Sequence, residues 1–174
     1  AFYGDYNKGE ELLNITDSEF SNGSCTEAFL YLNSWTSGAS ALVSSSSISD
    51  FKSAIKLRSI NLKIENSVFE RGIGSSHGAI HLEGGSIQVY NTQFKDLSST
   101  IEGGAISAVE YSNVTIRNSN FNQVSATFNG GALFLENHMR ATIENCSFRG
   151  SSAGSGAIYF RSDHPGQVTT IANS

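Results

Sequence analysis

Apolar and polar residues alternate along this chain in short segments, a pattern typical of β-strands with one buried face. The clearest segments begin with alanine and follow one or two glycines. They are Ala79-Ile80-His81-Leu82, Ala105-Ile106-Ser107-Ala108, Ala132-Leu133-Phe134-Leu135 and Ala157-Ile158-Tyr159-Phe160, with Ser53-Ala54-Ile55-Lys56-Leu57 as a copy that lacks the glycine. The alanines are 25, 26, 27 and 25 residues apart. The chain therefore contains an internal repeat of about 26 residues.

A second landmark follows each alanine segment and ends in phenylalanine. It is seen as Asn66-Ser67-Val68-Phe69, Asn91-Thr92-Gln93-Phe94, Asn118-Ser119-Asn120-Phe121 and Asn145-Cys146-Ser147-Phe148, and Asn173 begins one more. Asp17-Ser18-Glu19-Phe20 and the weaker Ser45-Ser46-Ser47-Ile48 are earlier copies. Counted by this landmark, the chain has six repeats and part of a seventh.

Equivalent residues that return at constant intervals favour parallel strands coiled about one axis over a meander of hairpins, which needs tight turns between strands. In such a coil each turn lies about 4.8 Å above the last, so like residues stack on like. We expect the four phenylalanines to stack in the core and the asparagines, with Asn173, to stack at a bend. Asparagine tolerates the left-handed backbone conformation that a bend needs. The paired glycines are expected to supply positive φ at another corner.

The pattern thus predicts an all-β fold, a single-stranded right-handed parallel β-helix of about six to seven turns. We expect one domain over residues 1–174, with irregular turns over 12–52 and regular turns over 53–174.

Composition restricts the function classes. Only 16% of residues are charged, and the net charge is −5, so no basic face exists for nucleic acid. No run of 18 apolar residues is present, so we expect no transmembrane segment. The two cysteines, Cys25 and Cys146, fall in distant repeats and are not expected to pair within the chain.

We find no pattern for catalysis, a metal or a cofactor. Hydrolysis of a glycoside needs two carboxylates facing one groove, but the outward acids are not on neighbouring turns. One outward column contains Glu65, Tyr90, Arg117 and Glu144, and a second contains Glu83, Val109 and Glu136. Glu102 and Glu110 lie in connections. The histidines, His77, His81, His138 and His164, are scattered. His77 and His81 lie near one corner, but no cysteine or carboxylate repeats alongside them. We expect a protein that is not an enzyme and that holds no metal or cofactor.

Four N-x-S/T sequons favour an extracellular or cell-surface protein that could carry N-glycans. Asn14, Asn22 and Asn113 are the candidate acceptors, whereas the asparagine column should occupy the amide of Asn145. Serine-rich stretches such as Ser44–Ser47 are expected to be solvated loops, with O-glycans as an alternative.

The Gly-Gly-Ala-Ile/Leu segment with its recurring phenylalanine resembles the repeats of the chlamydial polymorphic outer-membrane proteins and of pectin-lyase-like β-helices in autotransporters. The resemblance covers residues 53–160 well and 12–52 loosely. In the family repeat, asparagine follows phenylalanine by three residues, whereas here it precedes phenylalanine by three. The resemblance implies a surface-displayed, non-enzymatic protein.

Both ends of the coil lack a recognisable cap. The chain opens with the apolar Ala1-Phe2-Tyr3 and stops midway through a landmark at Asn173-Ser174. Joined head to tail, Asn173-Ser174-Ala1-Phe2 would restore that landmark, with Phe2 where the Phe148 column would recur. We therefore expect self-association end to end into a filament, or a unit of a longer covalent array. The candidate junction residues are Ala1, Phe2, Tyr3, Ile171, Asn173 and Ser174.

The sequence favours a structural subunit of an extracellular or cell-surface fibre. The alternative is an adhesin segment that binds glycans along one face, for which Tyr90, Phe134 and Tyr159 are the outward aromatic candidates. A polysaccharide lyase or glycosidase is the least favoured hypothesis.

Overall fold

The computed structural model describes residues 2–6, 12–21, 28–34, 38–163 and 165–174, with the backbone alone for 2–6 and 12. Among these residues, every element of regular secondary structure is a β-strand. The strands are β1 (Phe2–Tyr6), β2 (Leu12–Thr16), β3 (Glu19–Phe20), β4 (Leu30–Ser34), β5 (Ser40–Ser44), β6 (Ser47–Ser49), β7 (Ile55–Glu65), β8 (Val68–Glu70), β9 (Ile73–Gly74), β10 (Ile80–Tyr90), β11 (Gln93–Ser99), β12 (Ile106–Val109), β13 (Asn113–Arg117), β14 (Asn120–Ala126), β15 (Leu133–Glu136), β16 (Arg140–Glu144), β17 (Ser147–Arg149), β18 (Ile158–Arg161) and β19 (Val168–Ala172).

The strands form three columns that run along one axis. The first column is β1-β4-β7-β10-β12-β15-β18, and the second contains β2, β5, β13, β16 and β19. The long strands β7 and β10 pass through both columns and join them into one sheet. The third column is a separate sheet from β3 to β17. Pairing is parallel throughout the described strands, and the chain is a right-handed-type parallel solenoid of about 6 turns.

The predicted inward residues form the core. In each regular turn before the last, the apolar residues of the alternating pattern are buried in the first strand and again in the second: Ile55, Leu57, Leu62, Ile64, Ile80, Leu82, Ile87, Val89, Ile106, Ala108, Val114, Ile116, Leu133, Leu135, Ala141 and Ile143. In the last turn the predicted inward Ile158 is half-buried and Phe160 is 37% exposed. The predicted phenylalanine stack is confirmed. Ring centroids are 5.2 Å apart for Phe69–Phe94, 4.9 Å for Phe94–Phe121 and 4.7 Å for Phe121–Phe148. This spacing follows the distance between stacked strands.

The asparagine column lies at a bend, as predicted. Each member has a positive φ, which is 52° at Asn66, 49° at Asn91, 51° at Asn118, 52° at Asn145 and 53° at Asn173. Asp17 and Ser45, in the irregular copies, share this conformation. The asparagine side chains face solvent, and the amide of Asn91 donates a hydrogen bond to that of Asn66 at 3.3 Å. These residue types therefore suit the bend because they tolerate the left-handed backbone conformation.

The residue after each positive-φ residue of the bend belongs to a second column of side chains, buried from Ser46 to Cys146, that the sequence analysis did not predict. We name it the hydroxyl column: Ser18, Ser46, Ser67, Thr92, Ser119, Cys146 and Ser174. Each hydroxyl or thiol donates to the carbonyl two residues earlier. Several also accept a backbone N–H from the preceding turn, as Ser119 does from Thr92 at 3.2 Å. The expectation of a solvated loop is thus wrong for Ser46, which is buried.

The paired glycines serve two different purposes. The first of each pair, Gly103 or Gly130, has the expected positive φ of 56° or 59°. The second does not, but a Cβ at Gly104 would lie 2.2 Å from the carbonyl oxygen of Gly131. Close approach of one turn to the next therefore requires glycine at this position.

The predicted place of Phe2 is wrong. Phe2 pairs with Leu30, which pairs with Ile55, so β1 continues the first column. At that level the third column is already occupied by β3, where Phe20 pairs with Ile48. If Asn173 of one copy were followed directly by Phe2 of the next, β1 would therefore enter the third column, whereas it belongs to the first.

We expect Ser119→Ala to lower the free energy of unfolding by about 1–3 kcal/mol, because the buried N–H of Thr92 and carbonyl of Arg117 lose a partner. Urea denaturation measures the change. Ser75→Ala, at an exposed position, is the matched control and should change it by less than about 0.5 kcal/mol. Equal effects of the two substitutions would contradict a stabilising hydroxyl column.

Candidate functional site

A polar groove lies on the outward side of the first column. We name it the His-Glu groove; its volume is about 480 Å³. Its charged and titratable lining residues are Arg58, His77, His81, Glu83, Glu102, Glu110 and Glu136. A second cavity, lined by Ser40, Asn61, Lys63, Ser86 and Gln88 among others, has one charged side chain, that of Lys63.

Local strand geometry assembles the centre of this groove. His81 and Glu83 are two residues apart on β10, so both point outward. Parallel register then places Arg58 of β7 beside Glu83, and Ser107 of β12 beside His81. Three successive turns therefore each contribute one strand to the site.

A line of hydrogen bonds connects these side chains. His81 Nε2 lies 3.1 Å from Glu83 Oε1, and His81 Nδ1 lies 3.3 Å from Ser107 Oγ. Because a carboxylate only accepts, Nε2 carries the proton and Nδ1 accepts from the Ser107 hydroxyl. Arg58 pairs with the same carboxylate through its guanidinium. The line therefore runs Ser107 to His81 to Glu83, with Arg58 as the counter-ion.

The ring of His77 packs flat against the ring of His81. The centroids are 3.8 Å apart and the planes differ by 8°. Burial, together with the neighbouring His77, lowers the pKa of His81 to about 4. Burial also lowers the pKa of His77, against the opposing effect of Glu102. Both rings are therefore neutral at pH 7.

The carboxyl group of Glu83 is ionised in this setting. Burial raises its pKa, but hydrogen bonds from Arg58 and His81 outweigh burial and lower the pKa overall. The charge of Glu83 is thus stabilised by its two partners rather than by water.

The Ser107–His81–Glu83 line has the residue types of a nucleophile, a base and an orienting carboxylate. However, Ser107 is 0% exposed, so its hydroxyl is not accessible to a substrate in this structure. Among the described residues, no group of three or more His, Cys, Asp or Glu side chains is placed to hold a metal ion. The arrangement orders the groove rather than presenting a reactive atom.

The sequence analysis placed His77 and His81 near one corner but missed their association with Glu83 and the neighbouring turns. The available signal was the pair His81 and Glu83, two residues apart on one outward face, with Arg58 one repeat earlier in the equivalent position of Glu83. His138 lies elsewhere: it is buried, and its Nε2 is 2.8 Å from Thr169 Oγ1. His164 is outside the described residues.

The other candidate residues lie apart from the groove. Asn14 and Asn113 are exposed on outward faces, Asn22 is outside the described residues, and Asn145 is exposed as well. Exposure alone therefore does not separate Asn145 from the candidate acceptors.

The candidate junction residues lie at opposite ends. Ala1 is outside the described residues, and Phe2 and Tyr3 are in β1. Ile171 is 47% exposed in β19, and Ser174 Oγ accepts the N–H of Cys146 at 3.1 Å.

The outward aromatic candidates do not form a shared platform. Phe134 and Tyr159 stack with centroids 5.4 Å apart, but Phe134 is buried. Tyr90 lies in another column, on β10. Cys146 is a buried thiol whose pKa is raised by burial, and Cys25 is outside the described residues.

The columns and the groove define the class of protein as a parallel β-solenoid repeat protein. Comparisons with protein-family models, with curated proteins and with solved structures found no match. The expected membership of the chlamydial outer-membrane or autotransporter families therefore has no support beyond the shared solenoid architecture. Among the described residues, no helix has the length and apolar character to cross a membrane.

We expect acid to destabilise the fold through His81. Its pKa is about 4 in the folded chain, against the ordinary 6.5, so between these values the unfolded chain binds a proton that the folded chain does not. The free energy of unfolding should fall as the pH drops from about 6.5 to 4, with His81 contributing about 2–3 kcal/mol. Urea denaturation at several pH values measures this.

His81→Asn removes the titrating group and should make the pH dependence shallower, whatever its effect on stability at pH 7. Ser75→Ala is the control and should keep the slope of the unchanged chain. If His81→Asn had the same slope as Ser75→Ala, His81 would not be the group responsible.

Proposed function

We propose that this chain is a structural subunit of an extracellular or cell-surface fibre in which β-solenoids stack end to end. The observation that carries the proposal is the exposure of inward apolar residues in the last described turn. Its inward residues Phe160 and Ile171 are 37% and 47% exposed, whereas Leu135 and Ile143, one turn earlier in the same columns, are 0% exposed. A further turn, from a second copy or from a longer covalent array, would cover them as each earlier turn is covered.

Backbone hydrogen bonding supports the same proposal. Within the described strands, β18 pairs with β15 alone and β19 with β16 alone. Each therefore has one edge of N–H and C=O groups that another parallel strand could pair with. Exposed edges of this kind are how sheets add strands from a second chain.

A second copy is the partner that matches the register. Its β1 and β2 belong to the same two columns as β18 and β19. Placed over them, the two strands would continue both columns and bury the exposed apolar residues. In the described chain the third column has no strand in the layer of β18 and β19, so the first two columns would carry the junction. The first column holds seven described strands per copy, so the axial repeat would be about 34 Å.

An adhesin that binds glycans remains the alternative, and the His-Glu groove is the observation that favours it. Its carboxylates and imidazoles could bond to sugar hydroxyls. This alternative would be supported if the unchanged chain bound to a glycan array and the Glu110→Gln variant did not. N-glycans at Asn14 or Asn113 are compatible with either function, since both side chains are exposed.

We expect the purified chain to form elongated particles that lengthen with concentration in negative-stain microscopy and light scattering. Ile171→Lys should leave monomers, because it places a charge in the face that a second copy would bury. Ile73→Lys is the matched control, since Ile73 is 63% exposed at a lateral corner, and it should assemble like the unchanged chain. Circular dichroism checks that both variants fold.

Two results would overturn the proposal. One is a chain that remains monomeric at every concentration. The other is an Ile171→Lys variant that assembles as well as Ile73→Lys.

A further inference from the structure

The stacked histidines form a side-chain contact between two consecutive segments of the chain. His77 belongs to the corner segment 74–78, which we name the His corner, and His81 belongs to β10. The ring of His81 is immobilised by Ser107 and Glu83, and it is 5% exposed. Nδ1 of His77 is buried without a hydrogen-bond partner in the described structure. The ring of His77 therefore contacts β10 through the stack, and its Nδ1 adds no hydrogen bond to that contact.

Charged groups of both signs face the histidine pair. On the neighbouring turns the pair faces Lys56 and Arg58 of β7 and Glu102 of the following corner. Glu83 shares its charge with Arg58, whereas Glu102 accepts a hydrogen bond from the neutral amide of Asn129 at 3.1 Å and keeps its charge. Glu110 and Glu136 line the groove further out. Glu102 can therefore offset one positive charge on the rings.

We propose that the His77–His81 stack is an acid-sensitive latch, which holds the His corner against β10 while the rings are neutral and releases it when both are protonated. One proton can be accommodated, since a neutral ring can stack on a charged one and Glu102 faces His77. A second proton would place two like charges 3.8 Å apart, and they would repel each other in a partly dry site. Burial of both rings already disfavours their charged forms.

The neighbouring turns supply an internal control for the latch. His77, Glu102 and Asn129 occupy equivalent positions on three successive turns. The equivalent corners are closed by similar backbone bonds: Gly78 donates to Gly103 O at 3.0 Å, and Gly131 donates to Gly156 O at 2.9 Å. Only the first of these two corners carries the histidine stack. Substitution of His77 by asparagine therefore introduces a residue that this fold already accepts in that place.

Hydrogen exchange of the folded chain, measured as protection factors for single amides between pH 7 and pH 4, tests the latch. Protection factors correct for the effect of pH on the intrinsic exchange rate. We expect acidification to lower the protection of Gly78 at least about tenfold more than that of Gly131, which reports the general loss of stability. In His77→Asn, the protection of Gly78 should change with pH as that of Gly131 does.

Glu83→Gln provides a second test. It removes the negative charge that offsets protonation of His81 and so lowers the pKa of His81 further. The closed latch then binds its proton only at lower pH, so the loss of protection at Gly78 by pH 4 should be larger than in the unchanged chain. Equal loss at Gly78 and Gly131 would overturn the latch, because it would indicate general unfolding. So would an unchanged response in His77→Asn. Neither result bears on end-to-end stacking, which Ile171→Lys tests separately.

Discussion

Pairing of each turn's backbone with the turns above and below is the constraint on which this structure depends. Every buried N–H and C=O in a parallel coil must find its partner one repeat away. The partner is present only if each turn bends at the same place. The left-handed conformation at Asn66, Asn91, Asn118 and Asn145 meets this requirement. Vertical repetition of residue type is therefore a consequence of hydrogen bonding, and the core follows from it.

The hydroxyl column solves a problem that the bend creates. At the bend the N–H of Thr92 is bonded by a side chain, whereas the carbonyl of Arg117 already accepts the N–H of Asn91 at 3.2 Å and can take a second donor. In this chain a short side chain such as Ser119 donates to one group and accepts from the other. Serine and threonine suit this position because a hydroxyl can do both at once. Asparagine and the hydroxyl residue after it therefore act as one structural unit at each bend.

The parts that the sequence predicted are those that depend on residue spacing alone. Alternation gave the inward residues Ile80 and Leu82, and the repeat of about 26 residues gave the phenylalanine stack. The hydroxyl column was missed because serine is a common loop residue, and its burial depends on the turn below. The His-Glu groove was missed because Arg58, His81 and Ser107 meet only through register between turns. Phe2 was misplaced because an apolar residue near a terminus fits more than one column.

One member of the hydroxyl column is a thiol, and this gives the fold a chemical reporter. Cys146 is buried, its Sγ donates to the carbonyl of Glu144, and burial raises its pKa. The thiolate, which is the form that alkylating reagents attack, is therefore scarce while the column is closed. In a chain whose Cys25 has been replaced by serine, the rate of labelling would measure how often the bend near the last turns opens. The hydroxyl residues at the other positions of the column do not react with alkylating reagents in this way.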